Sequence, residues 1–195
     1  MSAAPIKLNL KIYQGSTFKQ ILRWESSTKV YVPITGITKA APVVITAAGH
    51  GIPLGWRARV TNALGMKEIN SSDYSLVTDK TTDSVTFNQV NSLGYTTYTS
   101  GGVLEYNQPV DLAGYTARMQ IRPKLESDIV IQSLTTENGG ITFDNTLKTI
   151  TLYISAADTT LLSFAQAVYS LEFVYNSEII PFATGNVTLQ KEVTR

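Results

Sequence analysis

The sequence predicts an all-β protein made of antiparallel sandwiches or barrels. Thr, Val, Ile and Tyr are abundant, and stiff or aromatic side chains suit a pleated, half-buried surface. Many short runs alternate apolar with polar residues, and Gly, Asn, Asp and Ser separate them. That spacing fits sandwiches or barrels rather than βαβ units.

The elements follow in order. Residues 8–13 alternate Leu8, Leu10 and Ile12 against Asn9, Lys11 and Tyr13. A turn at Gln14-Gly15-Ser16 leads into residues 18–24, with Phe18, Gln20, Leu22 and Trp24 in alternation. Residues 115–122 set Ala117, Met119 and Ile121 against Thr116, Arg118 and Gln120. Pro123 ends that strand because it cannot donate to a ladder. Residues 129–134 read as the next strand. Asn138-Gly139-Gly140 turns the chain into 141–143, and Asp144-Asn145-Thr146 turns it into 149–154. Asn and Gly suit such turns because they tolerate positive φ. Residues 167–175 and 178–182 flank Asn176-Ser177, a tight hairpin. Residues 185–193 form the last strand, with Val187, Leu189 and Val193. One short helix is expected near 156–162, because Ser155-Ala156-Ala157-Asp158 places a hydroxyl three residues before a carboxylate, the capping spacing.

The middle of the chain differs in texture. Residues 38–106 hold seven of the 13 glycines and the single histidine. Short runs at 43–46, 56–61, 74–77 and 84–87 predict a small separate β-barrel or sandwich at 38–105. Residues 1–37 and 106–195 then form one discontinuous sandwich, with 24–37 and 106–111 as an interrupted hairpin. Insertion is favoured at exposed loop tips.

Composition excludes several chemistries. The 195 residues include no Cys and one His, with a formal net charge of +1 and 16% charged residues. Disulfides, thiolate metal sites and cysteine nucleophiles are thereby removed. A near-neutral chain does not predict nucleic-acid binding, which calls for a strongly basic face. No apolar stretch approaches the roughly 20 residues of a membrane helix, and the first ten residues show no signal-peptide pattern. No cofactor is expected, since no glycine-rich phosphate loop is present.

Candidate functional residues are few. His50 lies in Gly49-His50-Gly51 and reads as a turn residue, because a triad also needs a nucleophile and an orienting acid. The pairs Asp79/Asp83 and Glu126/Asp128 lack the ligand count of a calcium loop. Catalysis and metal binding are therefore not expected. Tyr95 and Tyr98 lie in a Gly- and Thr-rich segment, where tyrosines either anchor contacts to sugars or proteins or pack on their own module. Arg118 and Arg122 share a face with Gln120, which is either a solvated face or a polar interface. Glu172 alternates against Leu171 and Phe173 and so faces outward.

Two resemblances coincide with the division of the chain. Pro42-Val43-Val44-Ile45-Thr46, His50-Gly51-Ile52-Pro53-Leu54-Gly55, Gly65-Met66-Lys67-Glu68-Ile69-Asn70 and Tyr98-Thr99-Ser100-Gly101-Gly102 resemble a small β module of tailed-bacteriophage virion proteins. That module is often described as similar to the first catalytic-cysteine half-domain of ubiquitin-activating enzymes. Trp56 departs from it, since Asp often follows the glycine there. The flanks carry Gln14-Gly15-Ser16-Thr17-Phe18, Pro109-Val110-Asp111-Leu112-Ala113-Gly114-Tyr115, Gln120-Ile121-Arg122, Gly140-Ile141-Thr142-Phe143, Tyr169-Ser170-Leu171-Glu172-Phe173, Gly185-Asn186-Val187-Thr188-Leu189 and Glu192-Val193-Thr194-Arg195. They resemble the N-terminal immunoglobulin-like domain of phage baseplate upper proteins. The resemblance implies an Ig-like antiparallel β-sandwich with the module inserted. It also implies a virion structural protein of the tail, baseplate or neck, made in the bacterial cytoplasm. Its implied partners are other virion proteins, in multiple copies of a symmetric assembly. Host-surface glycan binding and capsid decoration are the alternative roles.

Overall fold

The computed structural model describes residues 4–192. The expected strand end at Val193 and the closing Thr194-Arg195 lie outside the described residues. The chain is mostly β. In order it forms β1 (Ile6–Lys7), β2 (Leu10–Tyr13), β3 (Phe18–Arg23), β4 (Glu25–Pro33), β5 (Gly36–Ile37), β6 (Val43–Thr46), β7 (Arg57–Leu64), β8 (Ser75–Leu76) and β9 (Asp79–Lys80). There follow β10 (Ser84–Phe87), β11 (Ser100–Pro109), β12 (Thr116–Arg122), β13 (Gln132–Thr135), β14 (Ile141–Asp144) and β15 (Thr149–Ile154). The helix α1 (Ala156–Thr160), β16 (Gln166–Tyr175) and β17 (Glu178–Gln190) complete the chain.

Two compact units result. The first comprises Met1–Arg23, Asp111–Asn145 and Thr149–Arg195; the second comprises Trp24–Val110 with Thr146–Lys148. The division thus falls at 23/24 and 110/111, not at the expected 37/38 and 105/106. The reason is the pairing of β4 with β11, from Val103 opposite Pro33 to Pro109 opposite Glu25. This is the expected hairpin, but β11 also pairs with β7, which draws both arms into the second unit.

The first unit is a two-sheet sandwich. One sheet runs β1-β17-β16-β12-β13, with β2 also on β17; the other runs β14-β15-β3. Ile12, Met119, Ile121, Leu152, Leu171 and Phe173 fill the core, each at most 1% exposed. Phe143 of β14 stacks on Phe173 of β16 with centroids 5.6 Å apart, which joins the two sheets. Phe182 meets Phe173 edge-on at 4.8 Å. The expected strands at 178–182 and 185–193 are one strand, β17. Leu171 pairs with Ala183 and Glu172 with Pro181, so Phe182 is the extra residue of a bulge. The bulge sends Phe182 and Ala183 inward together and accommodates Pro181 within the strand. Asn176 and Ser177 both have positive φ, 48° and 66°, as a two-residue type I′ hairpin turn requires. In α1, Ser155 Oγ accepts from Asp158 N at 3.0 Å, so the capping signal holds while the helix stops at Thr160 rather than 162.

Two pairings depart from the antiparallel expectation. β1 and β2 both run parallel to β17. Between them the Leu8 carbonyl approaches Gly185 so closely that a Cβ there would lie 2.1 Å from the oxygen. The same carbonyl accepts from the Tyr169 hydroxyl at 2.7 Å. Burial pushes that hydroxyl up to about 12, so it remains a donor at every ordinary pH.

The second unit packs the sheets β5-β6-β10-β9 and β4-β11-β7-β8 around Trp56, Met66, Val77, Val85, Phe87 and Leu104. A 3-10 turn at Lys67–Ile69, not foreseen from the sequence, adds Ile69 to that core. Trp56 is 1% exposed, and its indole donates to Leu147 O at 2.9 Å.

Replacing Gly185 by Ala forces the Leu8 carbonyl aside. Overpacking of this kind costs about 1–3 kcal/mol, while Tyr169→Phe costs about 1 kcal/mol through one lost hydrogen bond. Thermal melting of the full chain should rank the losses in that order; an unchanged Gly185→Ala melt contradicts the close approach.

Candidate functional site

The alternation of β12, β16 and β17 sends every second side chain to the outer face of the larger sheet. Register lines these side chains up in rows. Gln120 lies opposite Ser170 and Ser170 opposite Thr184; Arg122 lies opposite Val168 and Val168 opposite Asn186; Arg118 lies opposite Glu172. Together they line a groove of about 700 Å³. Three residues singled out from sequence, Arg118, Arg122 and Glu172, therefore converge on one depression.

Their roles differ. Arg118 Nε donates to Glu172 Oε2 at 3.0 Å, and the arginine side chain remains 53% exposed. Arg122 is engaged through all three of its nitrogens. Its Nη2 and Nε donate to Gln120 Oε1 at 2.8 and 3.2 Å, and its Nη1 donates to Ser127 O at 2.6 Å. Arg122 is thus a brace for the loop at 123–131, not a free contact. The expected strand at 129–134 begins only at Gln132. The preceding loop carries three exposed apolar side chains: Leu125 at 85%, Ile129 at 67% and Val130 at 40%. Leu125 forms part of the groove wall.

Tyr95 and Tyr98 take the packing alternative. Both lie against the core of the second unit. The Tyr98 hydroxyl reaches Ile34 O at 3.0 Å and Gly101 O at 2.9 Å, so it holds the start of β11.

His50 is a buried structural residue, 1% exposed. Its Nδ1 accepts from Ile52 N at 3.0 Å. Its Nε2 faces the carbonyls of Thr81 and Ser84, each at 3.1 Å, and can only donate to them. The ring is therefore the neutral Nε2–H tautomer. Burial lowers its pKa below 6.5, with the two carbonyls acting in the opposite direction.

One polar cluster escaped the sequence reading. Glu105 of β11 is 4% exposed. Lys29 Nζ lies 2.8 Å from its carboxylate. Arg59 Nη2 donates to both its oxygens at 2.9 Å, and the Tyr74 hydroxyl donates at 3.0 Å. Lys29 also bonds the Tyr74 hydroxyl, and Lys29, Arg57 and Arg59 all lie over the Tyr74 ring. Lys29 above all, then Arg59 and Tyr74, hold the carboxyl at about 2 against the opposing effect of burial. Such a weak base accepts no proton near neutrality, so Glu105 serves here as a fixed negative charge that its partners hold. Its cations stand on β4 and β7, strands that meet only through β11.

Among the described residues, no three His, Asp or Glu side chains gather as metal ligands. No helix there is long and apolar enough to cross a membrane. The chain matches no protein-family model and no curated protein.

Stability of the second unit should fall with acidity in two steps. His50 binds its proton less readily when folded, so its share is complete above about 6.5 and declines below it. Glu105 is depressed, so its share is complete above 4.5 and is lost as pH falls towards about 2. Glu105→Gln should remove the lower step and cost about 2 kcal/mol, less than the roughly 3–5 of a fully buried broken pair, because both cations keep access to water. Melting curves from pH 8 to 2.5 read both steps; a Glu105→Gln profile parallel to that of the parent below pH 4.5 contradicts the assignment.

Proposed function

We propose that the protein is a structural subunit of a bacteriophage virion, placed in the tail, baseplate or neck, and that it works by assembly rather than turnover. The observation that carries this reading is the loop at 123–131. Arg122 and the backbone bond from Ile131 N to Ile121 O, 2.8 Å long, tie it to β12. It nevertheless presents Leu125, Ile129 and Val130 to water. Three exposed apolar side chains on one held loop suit a protein contact. The sequence resemblance of both segments to phage virion proteins supplies the context. Neighbouring virion proteins, in copies related by the symmetry of the particle, then cover the loop. The alternative role of capsid decoration differs in stoichiometry, which would approach that of the major capsid protein.

The double variant Ile129→Ser/Val130→Ser should fold with an unchanged melt, since both side chains are exposed. It should be depleted at least about tenfold from purified particles, because the apolar burial that anchors it is lost. Mass spectrometry of the particles reads this outcome, and normal incorporation contradicts the loop's role. A cryo-EM map of the virion tests the placement; tail, baseplate and neck density fully explained by other chains would overturn it.

A further inference from the structure

We infer that the groove on the first unit is a saccharide site, and that the sugar it takes carries a carboxylate. The floor of the groove is the face of three hydrogen-bonded strands. Its backbone groups are spent in the β12–β16 and β16–β17 ladders, so only side chains can meet a ligand. An extended peptide recognised by strand addition needs a sheet edge, and this is a sheet interior. A nucleic acid needs many phosphate contacts, while the groove wall sets only two guanidiniums against one carboxylate.

The unspent side-chain atoms suit a polyol. Ser170, Thr184 and Asn186 make no side-chain hydrogen bond to the described residues, and Gln120 uses only its oxygen, towards Arg122. Glu172 keeps one oxygen free. Groups that donate and accept are thus spread over a grid with strands about 4.8 Å apart and same-face residues about 6.8 Å apart. Sugar hydroxyls both donate and accept, so they can satisfy such a grid. Val168, on the floor of the groove, offers apolar surface to the C–H face of a pyranose ring. A volume of about 700 Å³ falls within the size of small-ligand sites.

The charge selects the sugar. Arg118 gives only Nε to Glu172, which leaves both Nη groups as a fork for a carboxylate. Arg122 adds a second positive charge two same-face positions along β12, and Glu172 cancels one. An acidic saccharide therefore complements the groove better than a neutral one. The inference does not rest on the assembly reading: it uses Arg118 and Ser170, not Ile129 and Val130, and needs no particle.

The test is titration of the full chain with 3′-sialyllactose, tetragalacturonate and a hyaluronan tetrasaccharide, followed by two-dimensional amide NMR. Lactose and maltotetraose serve as neutral partners. At least one acidic probe should bind saturably and shift amides of β12, β16 and β17. Arg118→Gln should weaken it by at least about tenfold through loss of a charge-assisted pair, with an unchanged melt. Ser170→Trp should block it by filling the groove. Should Ser170→Trp fail to fold, Arg118→Gln decides alone. No binding by any acidic probe, equal binding of neutral ones, or binding indifferent to Arg118→Gln overturns the inference. A concentration-dependent dimer abolished by Ser170→Trp, without sugar binding, would overturn it in favour of a second copy of the chain.

Discussion

The ladder between β16 and β17 bears on everything the first unit displays. It is the longest pairing in the chain, running from Gln166 opposite Thr188 to Tyr175 opposite Glu178. Its inner face supplies Leu171, Phe173, Ala183 and Val187, all at most 1% exposed. Phe173 then meets Phe143 of the opposite sheet. Its outer face supplies most of the floor of the groove. Its far edge receives β1 and β2, and Gly185 leaves room for the Leu8 carbonyl between them. A single hairpin therefore sets core, groove and N-terminal docking together. The bulge at Phe182 lets one strand do this despite Pro181.

The second unit obeys a different constraint. Its sheet β4-β11-β7-β8 buries a carboxylate, and buried charge is tolerated only when paired and hydrogen-bonded. Glu105 meets that condition through Lys29, Arg59 and Tyr74. These residues come from β4, β7 and the segment just before β8, so they tie the sheet across its width. Pairs of this kind add little net stability over an apolar core, and their clearest effect is the cost of breaking them. His50 acts similarly on a smaller scale: its two ring nitrogens hold Ile52 N and the carbonyls of Thr81 and Ser84.

Much of this was legible in the sequence, and the rest was hidden for physical reasons. Short β-rich runs bounded by turn residues are legible: 149–154 and 43–46 match β15 and β6, and Asn176-Ser177 is the expected tight turn. The capping pair Ser155/Asp158 marked α1. Errors arose where long-range pairing decides. Pro181 and Gly185 split β17 on paper, because a bulge cannot be seen without its partner strand. The domain boundary shifted because β11, opening with Ser100-Gly101-Gly102, read as loop and joint, although it pairs with both β4 and β7. In the groove, alternation placed Arg118 and Glu172 correctly on an outer face. Their pairing, and the diversion of Arg122 to Ser127 O, depended on register. Glu105 was invisible because its cations lie 46 and 76 residues away in sequence, on strands that only the fold brings together.

Groove and loop are both extensions of β12, and β12 is held by β16. Both roles proposed for this face, contact with a virion neighbour and with a sugar, require that the β16–β17 hairpin be the most persistent part of the unit. Hydrogen exchange of the full chain, resolved by residue, tests this most directly. The account predicts that the paired amides of Gln166–Tyr175 and Glu178–Gln190 exchange slowest within the first unit, with β12 close behind and the loop at 123–131 fastest. Rapid exchange in β16 and β17 while β14, β15 and β3 stay protected would contradict it.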